Sequence, residues 1–183
     1  MLPAVLTLFV IYFFRNPSRE MLGEPGVFLS PADGKVIGIQ QVYEDRFIDA
    51  ECIQIRIFLN IFNVHINRIP IKAEVAYIQR QGLLFKPAYR PDSGKLNVRN
   101  YVGLESDYGK VLLVQITGII ARRIVCWIKP GDQLEAGERF GLIRFGSCTE
   151  IYLPVDCEVE IQIGDRVRGG ETIIGRNVGE NVC

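Results

Sequence analysis

The sequence predicts a mostly β chain: a barrel-sandwich or hammerhead-like β domain behind an N-terminal hydrophobic helix. Three observations predict it. From Met21 onward, short runs of Val, Ile, Phe and Tyr alternate with Gly, Pro, Asn and Asp punctuation. Two stretches share a Gly-Asp turn, a short strand and a second Gly turn: Lys129–Gly141, KPGDQLEAGERFG, and Ile163–Gly175, IGDRVRGGETIIG. Only residues 2–14, LPAVLTLFVIYFF, form a long uncharged stretch, and helical periodicity is absent beyond it.

Taken in order, the N-terminal run is shorter than the ~20 apolar residues of a full span. A signal peptide needs basic residues before the run and a small-residue cleavage site after it, and neither is present. A core helix would be apolar on one stripe, whereas this one is apolar all round. The reading preferred is a short or shallow membrane anchor over residues 1–20, with residues 21–183 as the functional domain. Tyr12, Phe13 and Phe14 beside Arg15 suit an interfacial end, and Arg15 and Arg19 after the run put the domain on the cytoplasmic side of the cell membrane. Strands are expected at Lys35–Val42, Cys52–Leu59, Ala73–Ile78, Val111–Gly118, Ile124–Ile128 and Cys157–Ile163, with a turn or short helix at Asn60–Val64. The repeat resembles the turn pattern of biotinyl and lipoyl domains. It lacks their modifiable lysine between hydrophobics, so it reads as architecture.

Composition narrows the function. Lys+Arg and Asp+Glu are both 21, so no bulk attraction to nucleic acid is indicated. The five cysteines are odd in number and show no C-x-x-C pair, which disfavours a disulfide framework or a cysteine zinc site and suits a reducing compartment. A single histidine, His65, cannot build a multi-histidine metal centre.

The chemistry points to Gly141–Pro154, GLIRFGSCTEIYLP, where Gly146-Ser147 lies between two apolar runs. Most Gly-Ser pairs are turns. Self-cleavage nevertheless requires such a pair. A serine hydroxyl can attack the preceding carbonyl when glycine removes the blocking Cβ and tolerates unusual dihedrals. The ester can then eliminate and hydrolyse to a pyruvoyl group and ammonia.

Four segments, in order, resemble the phosphatidylserine decarboxylase family in its short bacterial and archaeal form. They are Ser30-Pro31-Ala32-Asp33-Gly34, Phe62-Asn63-Val64-His65-Ile66-Asn67-Arg68-Ile69-Pro70, Ile120-Ala121-Arg122-Arg123-Ile124-Val125, and Ile143-Arg144-Phe145-Gly146-Ser147. The resemblance implies a precursor that cuts itself into a large chain ending at Gly146 and a small chain starting with a covalent pyruvoyl cofactor from Ser147. The substrate amine would form a Schiff base there, and phosphatidylserine would lose carbon dioxide to give phosphatidylethanolamine. Expected partners are the phospholipid substrate, the membrane, the two cleaved chains for one another, and further copies in a homo-oligomer.

By pattern alone Asp33 is a turn residue; the resemblance implies that it orients a base or activates Ser147. His65, among polar neighbours, suits proton transfer near neutrality, in cleavage or in protonating the product. Some relatives carry H-x-x-H before a proline. With Pro70 aligned, His65 matches the first histidine and Arg68 stands at the second. Either His65 serves both steps, or Asp33 and the backbone do more. Two further departures are Cys148, where many relatives have a basic residue, and Val98 in Asn97-Val98-Arg99-Asn100, where N-E-R-N is common. One of Arg122 and Arg123, with Arg144, Arg68 or Lys86, is expected to pair with the lipid phosphate. Phe85 in Gly82–Ala88 either shelters the lipid or packs on the sheet. Cys148 is read as structural. The alternatives are a pyruvoyl decarboxylase of a soluble amino acid and a non-enzymatic, membrane-tethered barrel-sandwich binding protein.

Overall fold

The computed structural model describes residues 2–20, 23–82, 97–118, 123–144 and 147–179, with Leu2 and Ser147 described at the backbone alone. Among these, one helix, α1 (Leu2–Phe13), precedes fourteen strands. The largest sheet is antiparallel and ordered β13 (Arg166–Val167), β2 (Gly34–Glu44), β3 (Ala50–Leu59), β11 (Ser147–Pro154), β7 (Gly109–Thr117), β6 (Arg99–Ser106), β5 (Ala73–Gln81), β9 (Gln133–Leu134). Two three-stranded sheets accompany it. One is β1 (Val27–Leu29), β14 (Ile173–Asn177), β12 (Cys157–Val159); the other is β4 (Ile66–Arg68), β10 (Arg139–Ile143), β8 (Ile124–Cys126). The mostly β expectation holds.

The central strands read as their burial requires. In β3, Ile55, Ile57 and Leu59 alternate into the main core with Phe28, Ile69, Leu104, Leu113 and Phe140. Each such side chain contributes roughly 1.5–3 kcal/mol. Strand β7 is covered on both faces, which explains its nearly continuous apolar run. Leu113 faces the main core, while Leu112, Val114 and Ile116 join Tyr101 and Cys148 on the other side. Most predicted strands are present; the run from Cys157 ends earlier, at Val159, and the run from Ile124 ends at Cys126.

The repeat is a structural duplication. Gly131, at φ 91°, donates to Val75 O (2.8 Å), and Val75 N donates back to Asp132 O (2.9 Å). Gly164, at φ 107°, donates to Val36 O (2.9 Å), and Val36 N donates to Asp165 O (2.9 Å). The second turns match as well: Gly137 N donates to Ile69 O (2.7 Å) and Gly170 N to Ser30 O (2.8 Å). One copy therefore closes on the β4–β5 connection and the other on the β1–β2 connection. The two connections clasp each other through Leu29 N to Pro70 O (2.8 Å) and Arg68 N to Pro31 O (2.9 Å). The duplication thus brings together two of the chemistry-bearing segments, which are far apart in sequence.

Helix α1 stands apart. Phe13 is 1% exposed, whereas Val5, Leu8 and Ile11 exceed 60%. Apart from its last turn, then, the helix is not part of the core. At ~1.5 Å per residue its twelve residues reach only ~18 Å, and no described helix is long and apolar enough to cross a membrane.

Candidate active site

Two chain segments connect the large sheet with the β4–β10–β8 sheet. One is the β3–β4 loop, which leaves Leu59 and enters β4 after His65. The other is the β10–β11 link, which leaves Ile143 and enters β11 at Ser147. Their ends are joined at both sheets. Ser147 pairs with Leu59 and, on its other edge, with Thr117; Ile143 N donates to His65 O (3.2 Å). Ser147 therefore heads a strand held by ladders on both sides, at the point where the described chain enters the large sheet.

Asparagines shape the histidine loop. Asn60 N donates to Asn63 Oδ1 (2.9 Å), and Phe62 N donates to Asn60 Oδ1 (2.8 Å). His65 Nδ1 lies 2.9 Å from Asn63 O. A carbonyl only accepts, so Nδ1 carries the hydrogen and Nε2 holds the lone pair for taking a proton. The ring is fully buried, 4.3 Å from the Phe13 ring at 34°. Burial pushes the imidazole pKa down to about 4; the Asn63 hydrogen bond opposes this and Arg15 adds to it. His65 is thus neutral at pH 7.

The segment after α1 is strapped over this region. Arg15 Nη2 donates to Phe62 O (2.7 Å), and its guanidinium lies 3.9 Å from the Tyr12 ring. Arg68 donates to Asn16 Oδ1 (3.5 Å), Pro17 O (3.4 Å) and Gly137 O (2.8 Å). Arg19 Nη2 meets both oxygens of Asp33 (3.0 and 2.8 Å), while its Nη1 meets Glu171 (3.2 Å). Asp33 also accepts from Gly169 N (2.8 Å). Its carboxylate is therefore engaged with Arg19 and Gly169, and the acceptor for His65 Nδ1 is Asn63 O.

Behind His65 lies a buried neutral network absent from the sequence reading. Asn67 Nδ2 donates to Thr149 Oγ1 (3.1 Å), Gln115 Nε2 to Asn67 Oδ1 (2.8 Å), and Asn100 Nδ2 to Gln115 Oε1 (2.9 Å). Asn97 Nδ2 caps Thr117 O (2.7 Å), on the residue paired with Ser147. The network ties the histidine segment to β11, β7 and β6. The only hint in sequence was the Asn97–Asn100 motif. Val98, the departure within it, packs with Ile124 and Ile143.

The remaining candidates divide. Arg144 lies 5.9 Å from the Phe14 ring, and its backbone N donates to Arg123 O (3.1 Å); Arg123 is exposed. Gly146, Arg122, Lys86 and Phe85 lie outside the described residues. Cys148 is fully buried, and burial pushes its thiol up to about 12, so it is a packing residue. Sequence reasoning missed Phe13 as the cover of His65 and Arg19 as the partner of Asp33.

Fold and site define a duplicated β domain in which the loop carrying one buried, neutral histidine leaves the strand residue that pairs with Ser147. Comparison with known proteins specifies the class. Residues 6–175 match the phosphatidylserine decarboxylase family profile. Phosphatidylserine decarboxylase proenzymes of Carboxydothermus hydrogenoformans and Symbiobacterium thermophilum are each 48% identical, covering 94% of this chain and 81% of their own length. The proenzyme of Desulfotalea psychrophila is 44% identical over 93% of this chain and 80% of its own. The chain belongs to the phosphatidylserine decarboxylase family.

Proposed function

We propose that this chain decarboxylates phosphatidylserine to phosphatidylethanolamine after cutting itself at Gly146-Ser147 to leave a pyruvoyl group at position 147. The observation that carries this reading is Ser147 at the head of β11, paired to β3 and β7 and adjoining the histidine loop. A cut at that point frees only the link, because both ladders still hold β11. The large and small chains then stay together. This is the fit that a prosthetic group made from Ser147 demands.

The group supplies an electrophilic carbonyl that takes up the substrate amine and then the electron pair freed when carbon dioxide leaves. The chain supplies the rest. In cleavage, neutral His65 takes the Ser147 hydroxyl proton at Nε2; in turnover it returns a proton to the substrate α-carbon. With Arg68 at the second histidine position of some relatives, His65 serves both steps. Asp33, through Arg19 and Gly169 N, is a positioning residue that fixes the Ser30–Gly34 connection against the histidine segment. Arg144, whose Nε is buried without a hydrogen-bond partner, suits the substrate phosphate.

Helix α1 supports work at a membrane. It is apolar on all sides and exposed, and exposed Ile61 and Phe62 lie beside its Tyr12 end. Its length suits lying in the interface better than spanning it. Arg15 and Arg19 after it favour the cytoplasmic face.

The test offers phosphatidylserine in detergent micelles and free serine to the purified protein. Carbon dioxide and phosphatidylethanolamine from the lipid, lost in Ser147→Ala, are expected. Conversion of free serine with the lipid untouched would overturn the lipid reading. A cleaved chain that converts neither would overturn the enzyme reading.

A further inference from the structure

We propose that the groove between the N-terminal strap and the β4–β10 ladder binds a phosphate-bearing anion through Arg68, Arg139 and Arg19. Arg68 and Arg139 stand directly opposite one another in that ladder. Like charges so placed repel, and Arg19 and Arg139 both push the Arg68 pKa down, after burial itself. Asp33 and Glu171 oppose this, ranking after burial and the two arginines, and the nearby carboxylates are bonded to other partners. Asp33 is bonded by Arg19 and Gly169 N, Glu171 by Arg19 and Arg168, and Glu138 accepts from Glu135 N. Arg68 itself is buried, yet its hydrogen bonds go only to neutral oxygens, two of them long.

A second observation points the same way. The Arg19 side chain is 7% exposed, and its Nε is buried with no hydrogen-bond partner. Arg19, Arg68 and Arg139 line one open cavity of about 400 Å³, walled also by Asn16, Pro17, Ser18, Gly137 and one acidic residue, Glu138. Gly170 leaves room for this arrangement, since a Cβ there would come within 2.7 Å of Arg68 Cδ. Three guanidinium groups around an open groove suit the oxygens of a phosphate monoester or diester.

The groove is separate from the reaction centre. Arg68 lies three residues beyond His65, roughly 10 Å along an extended chain, at the end of β4 away from the histidine loop. Asn67, between them, points inward to Gln115 and Thr149. The anion is therefore a second one, distinct from the substrate phosphate. Its source is either a neighbouring phospholipid headgroup or a soluble phosphate. The strap walling the groove runs directly from α1, so the lipid source rests on the membrane reading above; the soluble source does not.

The test uses the full chain at low salt. Calorimetry with inorganic phosphate and with glycerol 3-phosphate addresses the soluble source. Flotation with phosphatidylcholine vesicles, with and without phosphatidylglycerol, addresses the lipid source. Binding of the small anions, or a preference for phosphatidylglycerol vesicles, is expected and should weaken as salt is raised. Arg139→Gln should reduce it at least about tenfold, with Arg139→Lys between that variant and the original chain. Thermal unfolding midpoints check that both variants fold. A vesicle preference without small-anion binding identifies a headgroup. Neither form of binding, or undiminished binding by a folded Arg139→Gln protein, would overturn the proposal.

Discussion

Replacing Phe13 with alanine should let His65 titrate more like a solvated imidazole. Its ordinary value is 6.5, and burial holds it at about 4. A difference of that size corresponds to about 3 kcal/mol favouring the neutral form. Phe13 is the helix residue stacked on the ring, at 4.3 Å. Its removal opens the ring to water and should recover a pKa of roughly 5–6, since the loop still covers the other side. The sign for stability follows. Between 6.5 and about 4 the unfolded chain binds more protons than the folded one, so stability is full above 6.5 and falls as pH drops through that window. Phe13→Ala should flatten this dependence while also loosening α1. Phe→Ala in a core costs ~3–5 kcal/mol, and the cost here should be smaller because the helix docks only through its last turn. The assay is direct: with one histidine in the chain, one imidazole signal is followed by NMR against pH. A native pKa near 6.5, or an unchanged low value in Phe13→Ala, would refute the reasoning.

Three further outcomes are expected. Gly141→Ala would place a Cβ 2.5 Å from Val125 O and 2.8 Å from Gln115 Nε2; a loss of about 2 kcal/mol or more in urea unfolding is predicted, and a loss under about 0.5 would contradict it. Arg19→Ala leaves Asp33 buried without its cation and should cost about 3 kcal/mol, of which Asp33→Asn in the same chain should restore part; a double variant no better than the single one would show that the pair is not the cause. Leu8→Asp with Ile11→Asp, both on exposed helix positions, should abolish flotation with vesicles without changing the thermal midpoint, and unchanged flotation would remove α1 as the membrane contact.

Much of this arrangement was legible in the residues. The strands follow from alternating β-branched runs, and the Gly-Asp repeat announced the duplication because Gly131 and Gly164 need positive φ wherever they sit. His65 stood out by being alone. The missing parts depend on distance in the chain. Nothing local in an uncharged helix says that Phe13 will cover a histidine fifty-two positions later. Nothing in SPADG says that its aspartate will be taken by Arg19 and by the backbone of Gly169. Gln115 sits within an apolar run and reads as an interruption; only the pairing of β7 with β11 turns it toward Asn67. Arg68 read as a substitute for a histidine, and its place opposite Arg139 emerges only from the β4–β10 register.

The central claim is the origin of the reaction centre in Ser147, and the mass of the purified protein tests it most directly. Two chains are expected, the smaller beginning at position 147, blocked to N-terminal sequencing and carrying a ketone that hydrazine reagents label. A single chain of 183 residues with an intact serine at 147, in a preparation that turns over lipid, would contradict it.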